Sequence, residues 1–191
     1  MLKKRPIAVL IAAVLIFLST IFSAHRTLGA KSREVSDSFN LGVYDKDWDS
    51  NRRSISSQLL KRCEAANTLL SVSAKITEAE DNTKELREKR SALMGSGNSL
   101  TKASPHELYE LNEELTKSFD KLSSQLDALN LSRRDKEIVE ESIGTFKGAQ
   151  SVIASSGYNE LVREFDRTTL NVFPANILKD VAFVKTPELF E

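Results

Sequence analysis

The side chains able to do chemistry are few and scattered. His25 and His106 lie far apart, Cys63 is the single thiol, and none of them has a second ligand at metal-site spacing. That inventory of nitrogen and sulfur is too small for an ordinary structural zinc site. The chain has no glycine-rich phosphate loop, no His-Glu-x-x-His and no serine set between elbow glycines. Carboxylates abound, but they stand mostly beside cations, as on solvated helix faces, and sequence order does not pair two of them into an acid–base site. Cys63, in LLKRCEAANTLL, reads as a small core residue. The expectation is therefore a protein with no catalytic residues, no cofactor and no metal.

The residues better suited to contact than to catalysis sit in YDKDWDSNRR. Tyr44 and Trp48 are four apart and would share one helical face close to Arg52. Packing on a neighbouring helix and an aromatic-plus-arginine patch for a partner both fit that spacing. Trp48 lies 24 residues past Ala24, which is roughly 36 Å along a continuous helix and too far for an interfacial aromatic belt unless the chain bends near Gly42.

What must position these residues is legible from charge and hydropathy. Lys plus Arg equals Asp plus Glu at 27 each, so the basic excess that nucleic acid attracts is absent and nucleic acid is not an expected partner. Three of the cations, Lys3, Lys4 and Arg5, directly precede PIAVLIAAVLIFLSTIFSA, Pro6 to Ala24, which carries no charge. As a helix that run spans roughly 28 Å, close to the thickness of a hydrocarbon core. A cleaved signal peptide would need a small-x-small site, yet Phe22 or Leu28 occupies the third position back from the two available cleavage points. An uncleaved single-pass signal-anchor fits better. Arg26, Lys31 and Arg33 nearly balance the cations on the near side, and the slight N-terminal excess directs that end to the cytoplasm and the body outward.

Beyond the anchor no proline occurs until Pro105, and no glycine between Gly42 and Gly95. From Ile55 the positions Leu59, Cys63, Ala66, Leu70, Ser73 and Ile76 make one stripe of a helix. KITEAEDNTKELREKR is charged nearly all round and reads as a solvated helical tip extending past the core. MGSGNSLTKASP marks a reversal, and Ser104, Pro105 and Glu107 predict an N-cap, a first-turn proline and the returning carboxylate of a capping box. Leu108, Leu111, Leu115, Phe119, Leu122, Leu126 and Leu129 follow in steps of three and four. Ser132 and Asp135 predict another start, with Val139, Ile143, Phe146, Gln150 and Ile153 in register. Gly144 and Gly148 weaken that helix or admit a close neighbour. Strand signals are poor and a sheet is not expected. The fold class is thus all-α: an N-terminal transmembrane helix followed by an antiparallel helical bundle with long, coiled-coil-like helices. In linear order this gives a short basic tail at 1–5, the anchor at 6–24, a juxtamembrane stalk at 25–42 and a helical domain at 43–191.

The last 34 residues hold four of the nine phenylalanines. Tyr158-Asn159, Val162, Phe165-Asp166 and Phe173-Pro174-Ala175-Asn176 appear there in order, followed by Phe183-Val184-Lys185 and Leu189-Phe190-Glu191. This segment resembles the C-terminal signature of the LemA family of bacterial membrane-anchored helical proteins, and Ser104-Pro105-x-Glu107-Leu108 resembles the opening of a helix in that family. Arg52-Arg53 matches a family arginine pair. Departures are Asp166 in place of Asn, an interval from Tyr158 to Phe173 one residue longer than usual, and SISSQLLKRC where the family carries a proline-containing stretch. The chain looks like a divergent member.

The resemblance implies the bacterial cytoplasmic membrane and a non-catalytic protein whose partners are other membrane or envelope proteins, envelope proteases among them; it brings no catalytic residue. The alternatives are an oligomerising stalk that self-associates through the Ile55–Ile76 stripe, or an enzyme with an unrecognised carboxylate site. For the tail, Phe165 and Phe173 are expected to fill the core while Ile177, Leu178, Val181 and Phe183 fold back on it; the rival is that Phe183, Leu189 and Phe190 stay exposed to a partner or to lipid.

Overall fold

The computed structural model describes residues 5–47, 49–95, 97 and 99–191. Among these residues the protein is all-α apart from one two-stranded ribbon and an isolated antiparallel bridge, Met94 to Leu100. It begins with α1 (Arg5–Leu41), which carries the apolar run and is long and apolar enough to cross a membrane. The chain divides into two compact units, one formed by the chain up to Asp37 with Asn159–Pro187, the other by Ser38–Tyr158 with Glu188–Glu191.

In the larger unit, Gly42 ends the helix with φ +87° and its amide donates to the Ser38 carbonyl at 2.8 Å. A ribbon follows, β1 (Tyr44–Asp45) paired antiparallel with β2 (Ser50–Asn51). This corrects two expectations: there is a small sheet, and Tyr44 stands on a strand and not on the helical face it was expected to share with Trp48 close to Arg52. The reason is local: the left-handed turn at Gly42 breaks the helix, and the Asp45 carboxylate holds the Asp47 amide at 3.0 Å in a turn that competes with helix. A Cβ on Gly42 would lie 1.8 Å from the Arg52 carbonyl oxygen, whereas one on Gly97, also left-handed, meets nothing within 4 Å. Gly42→Ala is therefore expected to cost about 2 to 3 kcal/mol and Gly97→Ala clearly less. Thermal denaturation followed by circular dichroism in detergent micelles checks the difference; equal midpoints for the two variants would refute it.

Ser54 caps α2 (Ile55–Ser73) by accepting from the Ser57 amide. This helix buries the expected stripe Ile55, Leu59, Cys63, Ala66, Leu70 and Ser73, and a second row of Gln58, Arg62, Ala65, Leu69 and Val72. A face that wide is covered from two directions, by α5 (Arg133–Ala154) and by α3 (Glu80–Leu93). The chain turns back at residues 74–79, so α3 is not a tip extending past the core. It buries Thr83, Leu86 and Leu93 and lies along α4 (Pro105–Asp127). Polar pairs complete that seam: Lys89–Glu114 at 2.9 Å, Lys121–Glu85 at 3.0 Å and Asn82–Gln125 at 2.7 Å. Exposed ion pairs of this kind contribute little energy each, but they explain why a highly charged helix can still pack.

Helix α4 starts with the expected capping box, the Ser104 hydroxyl accepting from the Glu107 amide and the Glu107 carboxylate accepting from the Ser104 amide. Leu108, Leu115, Phe119, Leu122 and Leu126 are buried; Leu111 and Leu129 are half-buried. Ser132 caps α5, which buries Val139, Phe146, Ala149 and Ile153. A Cβ at Gly144 or Gly148 would meet no atom within 4 Å, so neither glycine mediates a close helix approach.

In the smaller unit, the side chains of Ile7 to Leu18 and Phe22 on α1 are exposed wherever they are large and apolar. After α6 (Tyr158–Phe165) comes a π-helical turn, Asp166–Leu170, and then α7 (Ala175–Val181). Phe165, Leu170 and Ala182 are buried.

Candidate functional site

The largest fully buried side chain among the described residues is a charged one that the helical patterning does not single out. Arg62 is fully buried. It reaches its position on the covered face of α2 because Leu59, Ala66 and Leu69 at helical spacing around it are all fully buried too. Its Nη1 donates to Asn112 Oδ1 and, at 2.7 Å, to Gln150 Oε1; its Nη2 donates to Thr116 Oγ1 at 2.7 Å. The guanidinium carbon stands 3.9 Å from the centroid of the Phe146 ring, and Phe146 stacks in turn on Phe119 with centroids 3.8 Å apart. Burial lowers its pKa to about 10, so it stays a cation through the neutral range. The arrangement links α2, α4 and α5 through one buried donor. The sequence carried a signal for it: Arg62, Asn112 and Gln150 each occupy an apolar register position on their own helix.

Beside it, Cys63 is buried, its carbonyl accepts from Arg90 Nε at 3.0 Å, and burial pushes its thiol up to about 11. As expected from its setting, it is a core residue. At pH 8 the thiol stays neutral, so the folded protein should resist maleimide while the denatured chain labels fully. Rapid labelling under native conditions would contradict this placement.

The residues expected to make contacts divide into three groups. Arg52 ties the ribbon down: its Nε pairs with Asp45 Oδ2 at 2.9 Å and its Nη1 donates to the Ser155 carbonyl at 3.3 Å, at the C-terminal end of α5. Tyr44 is exposed and its hydroxyl donates to Asp49 Oδ1 at 2.5 Å; Arg53 is exposed as well. Trp48 lies outside the described residues.

A second group closes the core. Tyr158 is buried, donates to the Glu188 carbonyl at 2.8 Å and meets Phe39 edge-on, with centroids 5.4 Å apart. Phe190 packs against both Phe39 and Tyr109, and His106 Nδ1 is hydrogen-bonded to the Glu191 carbonyl. Val162 and Phe165 are buried and Asn159 is half-buried. The last residues of the tail are thus pinned by Phe190 and Glu191.

The third group is exposed. Phe173 is 77% exposed and Phe183 87% exposed, with Pro174, Asn176, Ile177 and Val181 also on the surface. This corrects the expectation that Phe173 fills the core and that Phe183, Ile177 and Val181 fold back onto it. The π turn and Pro174 redirect the chain before Phe173 can continue the stripe that ends at Leu170, and Phe183 takes a left-handed conformation, φ +52°. Leu189, between them and the terminus, is half-buried.

No cluster of three or more His, Cys, Asp or Glu able to hold a metal ion occurs among the described residues. Exposed among the described residues are the apolar run of α1 and the apolar tail segment around Phe173, Ile177 and Phe183. No protein-family model, curated protein or solved structure matches the chain.

Proposed function

We propose that this is a single-pass, membrane-anchored antiparallel helical bundle of the LemA type, a divergent member, which acts through protein contacts in the bacterial envelope without catalysis. The observation that carries this reading is the state of α1. None of the residues of its most apolar window, within Ile7–Leu41, is buried. A core helix of a soluble protein would cover that surface, and a run of this length left bare calls for lipid. The body lies on the extracytoplasmic side, with residues 1–5 in the cytoplasm. The family reading rests on the order of Tyr158-Asn159, Val162, Phe165 and Phe173-Pro174-Ala175-Asn176. The π turn at Asp166–Leu170 supports it, because a π turn absorbs one additional residue, as the longer interval from Tyr158 to Phe173 requires.

The stalk reading needs the Ile55–Ile76 stripe free for a second copy. Ile55, Leu59, Cys63, Ala66 and Leu70 are already buried within one chain, so no observation favours it. The contact reading is tested by photocrosslinking in cells from Tyr44 and, separately, from Arg53. Reproducible capture of a particular envelope protein supports it; crosslinks confined to this chain at both positions overturn it.

A further inference from the structure

The exposed tail segment lies beside the apolar run itself. Pro174, Ala175 and Leu178 line one groove with Ser19, Thr20, Ser23, Ala24, Thr27 and Leu28. Farther along, His25 Nδ1 is hydrogen-bonded to the Ala182 carbonyl at 2.7 Å, and the Ser32 hydroxyl donates to the Lys185 carbonyl. The two hydrogen bonds set Ala182 level with His25 and Lys185 level with Ser32, so the chain from Pro174 to Lys185 runs alongside α1 in the same direction, with Pro174 toward the Ser19 end of the groove. Small side chains on α1 admit the close approach, and the Ser19 and Thr20 hydroxyls are satisfied by the Ile16 carbonyl at 2.8 and 2.9 Å.

The Phe173–Pro174 corner therefore stands level with the last turns of the uncharged run. Ser19 lies five residues inside its end at Ala24, about 7 Å along the helix axis, which is the depth at which interfacial helices bury their apolar faces. The large apolar residues in and just before α7 that do not line this groove carry the right chemistry. Phe173, Ile177 and Val181 follow at intervals of four and are 77%, 57% and 40% exposed, with Val172 beside them. Their neighbours Asn176 and Asp180 are polar and exposed. Lys179 bends back to donate to Asn171 Oδ1 at 2.8 Å. In water this patch would leave several large apolar side chains unburied; next to the anchor it is continuous with a surface that lipid covers.

We propose that Val172, Phe173 and Ile177 form a lipid-embedded foot, a second membrane attachment that inserts into the leaflet at the C-terminal end of the anchor. Val181 and Phe183 then sit at headgroup level, beside the first polar residues after the run. The foot holds the segment before the pinned C-terminus against the bilayer. The inference rests on α1 being the anchor.

The test uses the full chain in liposomes of phosphatidylethanolamine and phosphatidylglycerol, in a Cys63→Ala background, with a nitroxide attached to a single cysteine at 173, 177, 15 or 140. Oxygen partitions into lipid and a nickel chelate into water, so their relative collision rates report depth. Position 15 marks the anchor and position 140, exposed on α5, marks water. The foot predicts an oxygen-to-nickel ratio at 173 and 177 several-fold above that at 140 and below that at 15. A water-like ratio at 173 and 177 with a lipid-like ratio at 15 overturns the foot and leaves the anchor standing. Labels at 173 and 177 shielded from both reagents also overturn it, since a protein then covers the patch. A water-like ratio at 15 overturns the anchor, and the foot with it.

Discussion

Replacing Arg62 with Ala is expected to lower stability by about 3 to 5 kcal/mol, because it opens a cavity and leaves the buried Asn112 Oδ1 without its donor, at about 1 to 3 kcal/mol for such a group. The half-buried Thr116 and Gln150 can turn toward water, and the Thr116 hydroxyl keeps its bond to the Asn112 carbonyl. The guanidinium also leaves the Phe146 face. A combined replacement of Arg62 by Met, Asn112 by Leu, Thr116 by Val and Gln150 by Met removes the stranded groups together and should recover most of the loss. Arg62 Nε and Asn112 Nδ2 have no hydrogen-bond partner even in the intact protein, so the network carries a standing cost. The pH dependence follows from the lowered pKa. Burial disfavours the charged form in the folded state, so the cost is fully present below about 10 and is relieved only as pH rises through that value toward the ordinary arginine range. Between pH 6 and 9 Arg62 is protonated whether the chain is folded or unfolded, and it should contribute no slope. Urea titrations of wild type, single and combined variants in detergent micelles check all three statements. A single variant as stable as wild type would refute the structural role assigned to Arg62.

The second large effect concerns the proposed anchor. Val14→Arg with Leu15→Arg puts two charges at the middle of the Pro6–Ala24 run. Each costs about 2.5 to 3.5 kcal/mol at the centre of a membrane helix, which is enough to abolish insertion. Insertion of a reporter carrying residues 1–30 into microsomes, scored by glycosylation, should fall from near complete to near background. Unchanged insertion of the doubly charged segment would show that lipid does not surround these positions.

How much of this was legible in the sequence depended on how each residue signals its surroundings. The α4 capping box needed only Ser104, Pro105 and Glu107, because its hydrogen bonds are local. The leucine stripe of α4 and the Ser132 start of α5 were readable for the same reason. Helix α3 reads from its sequence as a solvated tip because its buried side is narrow, with Thr83 between Ala79 and Leu86, and its seam with α4 is polar. The ribbon at 44–51 pairs only two residues on each side, too few to show an alternating pattern.

The candidate surfaces were legible in composition but not in allocation. An apolar tail was plain, yet which phenylalanines close the core depends on long-range partners. Phe190 finds Phe39 and Tyr109, while Phe173 lies past a turn that takes it off the buried stripe. Arg62 went unrecognised because arginine on a helix ordinarily marks a solvated face. Only the coincidence of three polar residues at apolar register on three helices hinted otherwise.

The most direct test of the central claim, a membrane-anchored helical protein, is alkaline carbonate extraction of membranes from cells expressing the full chain, with immunodetection of pellet and supernatant. The account predicts that the protein remains in the pellet, as an integral membrane protein does. Complete release into the supernatant would contradict it and leave the bare apolar face of α1 without its proposed solvent.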